Sequence, residues 1–107
     1  MFGFSKSAPE SYHNLLAEPF AEGMAQPGAV LLDVRRPDEF AQGHLPGARN
    51  IDATSADFAQ RTAGLDSTWP TYVYCRSGAR SAKAAAVLSA AGFGQVYNLT
   101  AVTHHLD

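Results

Sequence analysis

The chain has 107 residues, 46% of them hydrophobic, and a formal net charge of -2 at pH 7. This length suits one domain with a modest core, so we expect a single domain over residues 1–107, with residues 1–10 as a loosely ordered N-terminal segment. The slight acidic excess gives no basis for binding nucleic acid, and no apolar run of about 18 residues or more predicts a membrane span.

The N-terminus and the single cysteine bear on the cellular compartment. Residues 1–6 lack the charged region and the following apolar run of a secretory signal. Cys75 is the only cysteine, which excludes an internal disulfide, and a thiol that must stay reduced fits the cytoplasm. We therefore expect a soluble cytoplasmic protein.

Strand-like and helix-like segments alternate along the chain, which predicts an α/β fold. Strands are predicted over residues 12–15, 30–34, 50–52, 71–74 and 96–98, and helices over residues 19–24, 38–42, 55–63 and 81–91, with a last turn near Thr103. The run Ala29-Val30-Leu31-Leu32 is typical of a strand covered on both faces. We expect a central parallel sheet of about five strands, flanked by helices on both faces.

The helix predicted over residues 81–91 has an apolar face. Its members fall at i, i+3, i+4 and i+7: Ala84, Val87, Leu88 and Ala91. We expect this face to pack on the sheet and to hold the preceding loop in place.

That preceding loop carries the cysteine. It reads Cys75-Arg76-Ser77-Gly78-Ala79-Arg80 and runs into the helix at Ser81. A loop of this kind aims main-chain N–H groups at one point and adds the positive end of a helix dipole, which predicts an anion-binding cradle. Gly78 permits a positive φ, and Ser77 and Ser81 add small hydroxyl donors.

Cys75 lies at the edge of this cradle. A helix N-terminus and neighbouring cations lower the pKa of a cysteine from about 8.5 to roughly 3.5 to 7.5. Arg76 and Arg80 are the candidate cations, and their planar forks of donors suit sulfur or phosphorus oxyanions better than a carbonyl substrate. The alternatives are an inert buried cysteine and simple solvated arginines. We predict a nucleophilic Cys75 and an anion-binding loop of Arg76, Ser77, Gly78, Ala79, Arg80 and Ser81.

Three residues near the second strand are predicted to support the loop. Asp33 ends its strand at the edge where parallel sheets place their ligands, so we expect it to accept hydrogen bonds from loop amides or Arg80. A turn or capping role is the alternative. Arg35 and Glu39 are expected to form an ion pair around the Pro37 turn.

The histidines and tyrosines are assigned to structure rather than to chemistry. His44 stands between a glycine and a Pro-Gly turn, as a hydrogen-bonded loop residue does. His104 and His105 have no further ligand at a suitable spacing, so we predict no metal and no cofactor. Tyr72 and Tyr74 alternate along a strand and are expected to pack in the sheet.

The loop from Cys75 resembles the active-site loop of the rhodanese-like sulfurtransferases, and a second segment supports the match. That segment reads Leu31-Leu32-Asp33-Val34-Arg35, then Pro37-Asp38-Glu39-Phe40, then Gly43-His44-Leu45-Pro46-Gly47-Ala48-Arg49-Asn50-Ile51. The resemblance extends over residues 12–100 and implies a single rhodanese-like domain.

The resemblance also implies an activity, that of a thiosulfate sulfurtransferase. In this family the cysteine attacks the outer sulfur of a donor such as thiosulfate, holds it as a persulfide and passes it to an acceptor such as cyanide or a thiol. Cys75 matches that nucleophile. From their charge, we expect Arg76 and Arg80 to steer the dianionic donor and to stabilise sulfite as it leaves. The expected partners are a small-molecule donor and acceptor, or a thiol-bearing protein.

Three alternatives stay open. A protein-to-protein sulfur relay uses the same cradle. Cysteine phosphatases and arsenate reductases resemble one another in a longer loop, in which one more residue separates the cysteine from the arginine than the four between Cys75 and Arg80. A non-catalytic binding module commonly lacks the cysteine.

The chain departs from the family pattern after Leu99. Relatives usually continue with two glycines, an aliphatic residue and a tryptophan, whereas this chain has Thr100-Ala101-Val102-Thr103. The turn there must differ, because alanine and valine do not take positive φ as easily as glycine does. With a shorter end than larger relatives, the chain is expected to be a monomer or a weak homodimer.

Overall fold

A computed structural model describes residues 12–100, in which five strands form one sheet. In chain order the elements are β1 (His13–Leu15), α1 (Ala17–Met24), β2 (Val30–Asp33), α2 (Pro37–Gln42), β3 (Arg49–Asn50), α3 (Phe58–Thr62), β4 (Thr71–Tyr74), α4 (Ala79–Ala90) and β5 (Val96–Leu99). Neighbouring strands are all parallel, in the order β1-β5-β4-β2-β3. The predicted α/β fold with a parallel sheet of five strands is confirmed.

Alternation along β2 and β4 divides the core into two halves. Leu32 and Val73 point to one side, where they pack against α4 through residues such as Leu88. Leu31 points to the other side, where Phe20 of α1 covers the sheet. We call these sides the α4 face and the α1 face. Helices therefore cover both faces, as predicted, and β4 lies in the middle of the sheet.

The helix boundaries differ from the prediction. α1 begins at Ala17, so that Pro19 lies in its first turn, where a missing N–H costs no hydrogen bond. α4 begins at Ala79 because Gly78, with a φ of 98°, forms its N-cap. α3 is shorter than expected, since residues 53–57 form turns. The turn predicted near Thr103 and the segment of residues 1–10 lie outside the described residues.

The apolar face predicted for α4 is wrong in part. Ala84 and Leu88 are buried, but Val87 is 43% exposed and Ala91 is also exposed. The buried residues of the helix are Ser81, Ala84, Ala85, Leu88 and Ser89. Alanines occur on several faces of α4, so the spacing of its hydrophobic residues alone does not identify the face that packs against the sheet.

Within residues 12–100, no helix combines the length and the apolar character that crossing a membrane requires.

Candidate active site

Main-chain N–H groups after β4 converge on the sulfur of Cys75. The N–H of Gly78 donates to Sγ at 3.1 Å, and the N–H of Ser81 donates to it at 3.3 Å. Both groups belong to the N-terminal turn of α4, which adds the positive end of the helix dipole. The predicted convergence of main-chain N–H groups is confirmed, and the groups point at the sulfur atom itself. Anion binding by this loop stays a prediction.

The hydroxyl of Ser81 completes this environment. Its Oγ lies 3.3 Å from Sγ of Cys75 and 3.3 Å from the carbonyl oxygen of Gly78. In the thiol form, the S–H donates to Oγ and the hydroxyl donates to the carbonyl. In the thiolate form, the hydroxyl hydrogen turns to the sulfur, because a hydroxyl rotates freely to suit its partners. Ser81 is therefore able to serve both protonation states.

Burial and hydrogen bonding act on the Cys75 thiol in opposite directions. Burial is the largest single effect and raises the pKa, since the side chain is 7% exposed. The hydroxyl of Ser81 and the N–H groups of Ser81, Gly78 and Ser77 together outweigh it. The pKa of Cys75 consequently lies below its ordinary value, and the site favours a thiolate more than solvent does.

The arginines have different surroundings from those we expected. Arg80 binds Glu39 through two contacts, Nη1 to Oε1 at 2.7 Å and Nη2 to Oε2 at 3.2 Å. This pairing raises the pKa of Arg80 and, with the N–H of Arg36, holds the pKa of Glu39 at about 2. Arg76 is exposed. Hydrogen bonds from Ser81, Gly78 and Ser77 are the largest of the effects that lower the pKa of Cys75, and the attraction between Arg80 and the thiolate is smaller.

Two predicted supporting contacts are wrong. Arg35 does not pair with Glu39 but binds Asp33, with Nε 2.9 Å from Oδ1 and Nη2 2.7 Å from Oδ2. Asp33 in turn accepts hydrogen bonds from Arg35 and Tyr74, not from Arg80 or the loop amides. The reason is strand alternation: Asp33 lies on the α1 face, whereas Cys75 lies on the α4 face.

Asp33 instead joins a buried network that holds the chain after α2. The hydroxyl of Tyr74 donates to Oδ2 of Asp33 at 2.8 Å and accepts the N–H of Leu45 at 3.0 Å. Arg35 also donates to the carbonyl oxygen of Gly43 at 2.6 Å. Burial, the largest effect, raises the pKa of Tyr74 to about 12, so its hydroxyl stays protonated. This network ties residues 43–45 to the ends of β2 and β4.

Asn50 and the Tyr74 hydroxyl also hold this edge of the sheet, and neither role was predicted from the sequence. The side-chain amide of Asn50 donates to the carbonyl oxygens of Asp33 and Arg35, both at 2.9 Å. Asp33 is paired with Asn50 on one neighbouring strand and with Tyr74 on the other. The sequence contains a signal for this contact, because Asp33 and Tyr74 each lie in the last residues of a predicted strand and Asn50 lies in the short strand predicted over residues 50–52. Polar residues that end adjacent parallel strands share one edge of the sheet.

The structural assignment of His44 is confirmed. Its Nδ1 lies 2.9 Å from the carbonyl oxygen of Phe40, and the two rings stack with centroids 3.6 Å apart. Over residues 12–100 there is no group of three His, Cys, Asp or Glu side chains able to hold a metal ion. His104 and His105 lie outside that range.

Sequence comparison finds relatives over most of the chain. The rhodanese-like domain family matches residues 16–101. The chain is 49% identical over 73 residues to the thiosulfate sulfurtransferase GlpE of Pseudomonas putida strain F1. This match covers 67% of this chain and 64% of that protein. It is 41% identical over 100 residues to the thiosulfate sulfurtransferase GlpE of Pseudomonas entomophila strain L48. That match covers 92% of this chain and 81% of the relative.

Structural comparison agrees with these matches. A crystal structure of a rhodanese-related protein from Thermoplasma volcanium superimposes with a TM-score of 0.73 at 25% identity, covering 89% of this chain and 91% of that one. The chain spans 64% of the length of the first curated relatives that it matches. Because the family match covers residues 16–101, which include four of the five strands, the loop after β4 and α4, this chain belongs to the rhodanese-like domain family.

Proposed function

We propose that this protein is a thiosulfate sulfurtransferase that carries sulfur as a persulfide on Cys75. The observation that carries the proposal is the convergence of two N–H groups and one hydroxyl on Sγ, which suits an anionic sulfur. The names of the relatives from two Pseudomonas species support the same activity.

In the first half-reaction, the thiolate of Cys75 attacks the outer sulfur of thiosulfate. A new S–S bond forms as the bond to the sulfite sulfur breaks, and the electron pair leaves with sulfite. A thiolate and a dianion thus give a persulfide anion and dianionic sulfite, so charge is conserved and no proton moves. No general base is needed when the attacking group is the thiolate, which is the form that the hydrogen bonds to Sγ favour.

In the second half-reaction, an acceptor such as cyanide or a thiolate attacks the outer sulfur of the persulfide. The electron pair of the broken S–S bond returns to Sγ, which is then a thiolate again. The N–H groups of Gly78 and Ser81 stabilise this leaving group with charge-assisted hydrogen bonds. Exposed Arg76 and half-buried Arg80 attract the anionic donor to the loop.

The depth of the sulfur favours small-molecule donors and acceptors. With Cys75 only 7% exposed, a protein persulfide has to insert its outer sulfur into the loop before transfer. A protein-to-protein relay is therefore the second candidate. The short loop, with four residues between Cys75 and Arg80, disfavours a phosphatase. A thiol that must stay reduced between cycles fits a reducing compartment, so we propose that the protein acts in the cytoplasm.

Intact mass spectrometry tests this proposal. After incubation with thiosulfate the protein is expected to gain one sulfur atom, and addition of cyanide is expected to remove it and release thiocyanate. The Cys75→Ser variant is expected to show no gain. Absence of the adduct in the unmodified protein, or an equal adduct in the variant, contradicts the proposal.

A further inference from the structure

Glu39 forms an ion pair with Arg80 of the loop. Both carboxylate oxygens face Arg80, and the two side chains are 17% and 27% exposed. Oε1 also accepts the N–H of Arg36 at 3.0 Å, which fixes the carboxylate on the first turn of α2. The carboxylate is therefore anchored on its own helix and held against the start of α4.

This arrangement brings a negative charge close to the anion-binding loop. Arg80 follows Cys75 by five positions and lies in the first turn of α4. Arg80 would bind an oxyanion through the fork formed by its two Nη atoms. These atoms already contact the carboxylate of Glu39. A donor that binds Arg80 has to share this fork with Glu39, whose carboxylate repels an anion.

The repulsion depends on the charge of the donor. Thiosulfate is a dianion, whereas an organic thiosulfonate offers the same kind of transferable outer sulfur with a single negative charge. The Coulomb energy scales with the charge, so the dianion is penalised more by a fixed negative charge nearby. We propose that Glu39 is a specificity-determining residue that weakens the preference of the loop for doubly charged sulfur donors over singly charged ones.

This inference rests on the proposed function, and two variants separate it from a merely structural role. Glu39→Gln removes the charge but keeps the length of the side chain and its ability to accept hydrogen bonds. Asp38→Asn removes the same charge one residue earlier, where the carboxylate binds Arg36 at 3.1 Å instead of Arg80. Asp38 is exposed and is not part of the loop, so it is the matched control.

The experiment measures persulfide formation in a single turnover against donor concentration, with thiosulfate and with benzenethiosulfonate. With the latter, Cys75 takes the outer sulfur and benzenesulfinate leaves, so charge is again conserved. For Glu39→Gln we expect the half-saturating thiosulfate concentration to fall about fivefold at low salt, with a smaller change for benzenethiosulfonate and a largely unchanged maximal rate. High salt is expected to shrink the difference, and Asp38→Asn is expected to behave as the unmodified protein does.

The outcomes distinguish the two claims. If the unmodified protein forms no persulfide with either donor, the proposed function fails. If it does, and the ratio of the two half-saturating concentrations is the same in Glu39→Gln as in Asp38→Asn, this inference alone is overturned. A fall in the maximal rate with both donors also overturns it, since Glu39 then only positions Arg80.

Discussion

The hydroxyl of Tyr74 donates a 2.8 Å hydrogen bond to the carboxylate of Asp33 on the face of the sheet opposite to the sulfur of Cys75. Tyr74 immediately precedes Cys75, so successive residues at the end of β4 serve two purposes. One anchors residues 43–45 on the α1 face, and the other presents its thiol to the loop on the α4 face. The end of the central strand is thereby held from both sides.

Replacing Tyr74 with phenylalanine is expected to lower stability without removing the chemistry. The change leaves the N–H of Leu45 without its partner and takes one donor from buried Asp33. We expect the free energy of unfolding in urea to fall by about 1 to 3 kcal/mol, with persulfide formation retained in the folded protein. Tyr72→Phe is the control, because the Tyr72 hydroxyl has no hydrogen bond within residues 12–100. Equal stability of the two variants contradicts the role given to Tyr74.

Replacing Ser81 with alanine is expected to raise the pKa of Cys75. The variant loses the hydroxyl that stabilises the thiolate but keeps the N–H groups of Ser81 and Gly78. Alkylation of the thiol at neutral pH should therefore slow by about an order of magnitude, and its pH profile should move upward.

Ser89→Ala is the matched control for that experiment. Ser89 lies on the same helix and is also buried, but its hydroxyl has no hydrogen-bond partner in the described part of the chain. We expect this variant to keep the alkylation profile of the unmodified protein. An unchanged profile in Ser81→Ala would show that the N–H groups alone determine the pKa of the thiol.

Replacing Gly78 with alanine is expected to distort the cradle. Gly78 has a φ of 98°, a conformation that costs a residue with a side chain about 1 to 2 kcal/mol. Relief of this strain turns the N–H away from Sγ, so both stability and thiolate formation should fall. Gly94→Ala is the control, since Gly94 is not among the glycines with positive φ and an added Cβ meets no atom within 4 Å. Equal effects of the two substitutions contradict this account.

The Glu39–Arg80 ion pair is expected to make stability depend on pH in the acid range. Hydrogen bonds from Arg80 and Arg36 lower the pKa of Glu39 from 4.5 to about 2 in the folded protein. Its contribution is therefore fully present above pH 4.5 and is lost as the pH falls towards 2.

Urea unfolding of the unmodified protein and of Glu39→Gln at a series of pH values measures this contribution. The difference in the free energy of unfolding should be constant near neutral pH and should shrink between pH 4.5 and 2. Asp33 also has a lowered pKa, but its effect is common to both proteins and cancels in the difference. A difference that does not change with pH would mean that the pair contributes nothing to folding.

The strands and the loop could be predicted from the sequence because their signals are local. Residues 71–74 are β-branched or aromatic, the helix that follows is rich in alanine, and a glycine separates the two. These features place Cys75 at the carboxyl edge of a parallel sheet. They require no knowledge of which distant residues meet.

The partners of the charged side chains could not be predicted in this way. Arg35 has acidic residues two positions before it and three and four positions after it, and it binds the one before it, Asp33. Glu39 instead meets Arg80, a partner 41 positions away in the sequence. These choices depend on the register of β2 against β4 and on the rotation of each helix. Hydrophobic patterns determine neither of them.

The most direct test of the central claim follows the outer sulfur of thiosulfate through one turnover. Thiosulfate carrying an isotopic label only at that sulfur is mixed with the protein, and the peptide containing Cys75 is analysed before and after cyanide is added. We expect the label on Cys75 first and then in thiocyanate, with unlabelled sulfite as the other product. Label that reaches thiocyanate without ever residing on Cys75, or no transfer at all, would contradict the account.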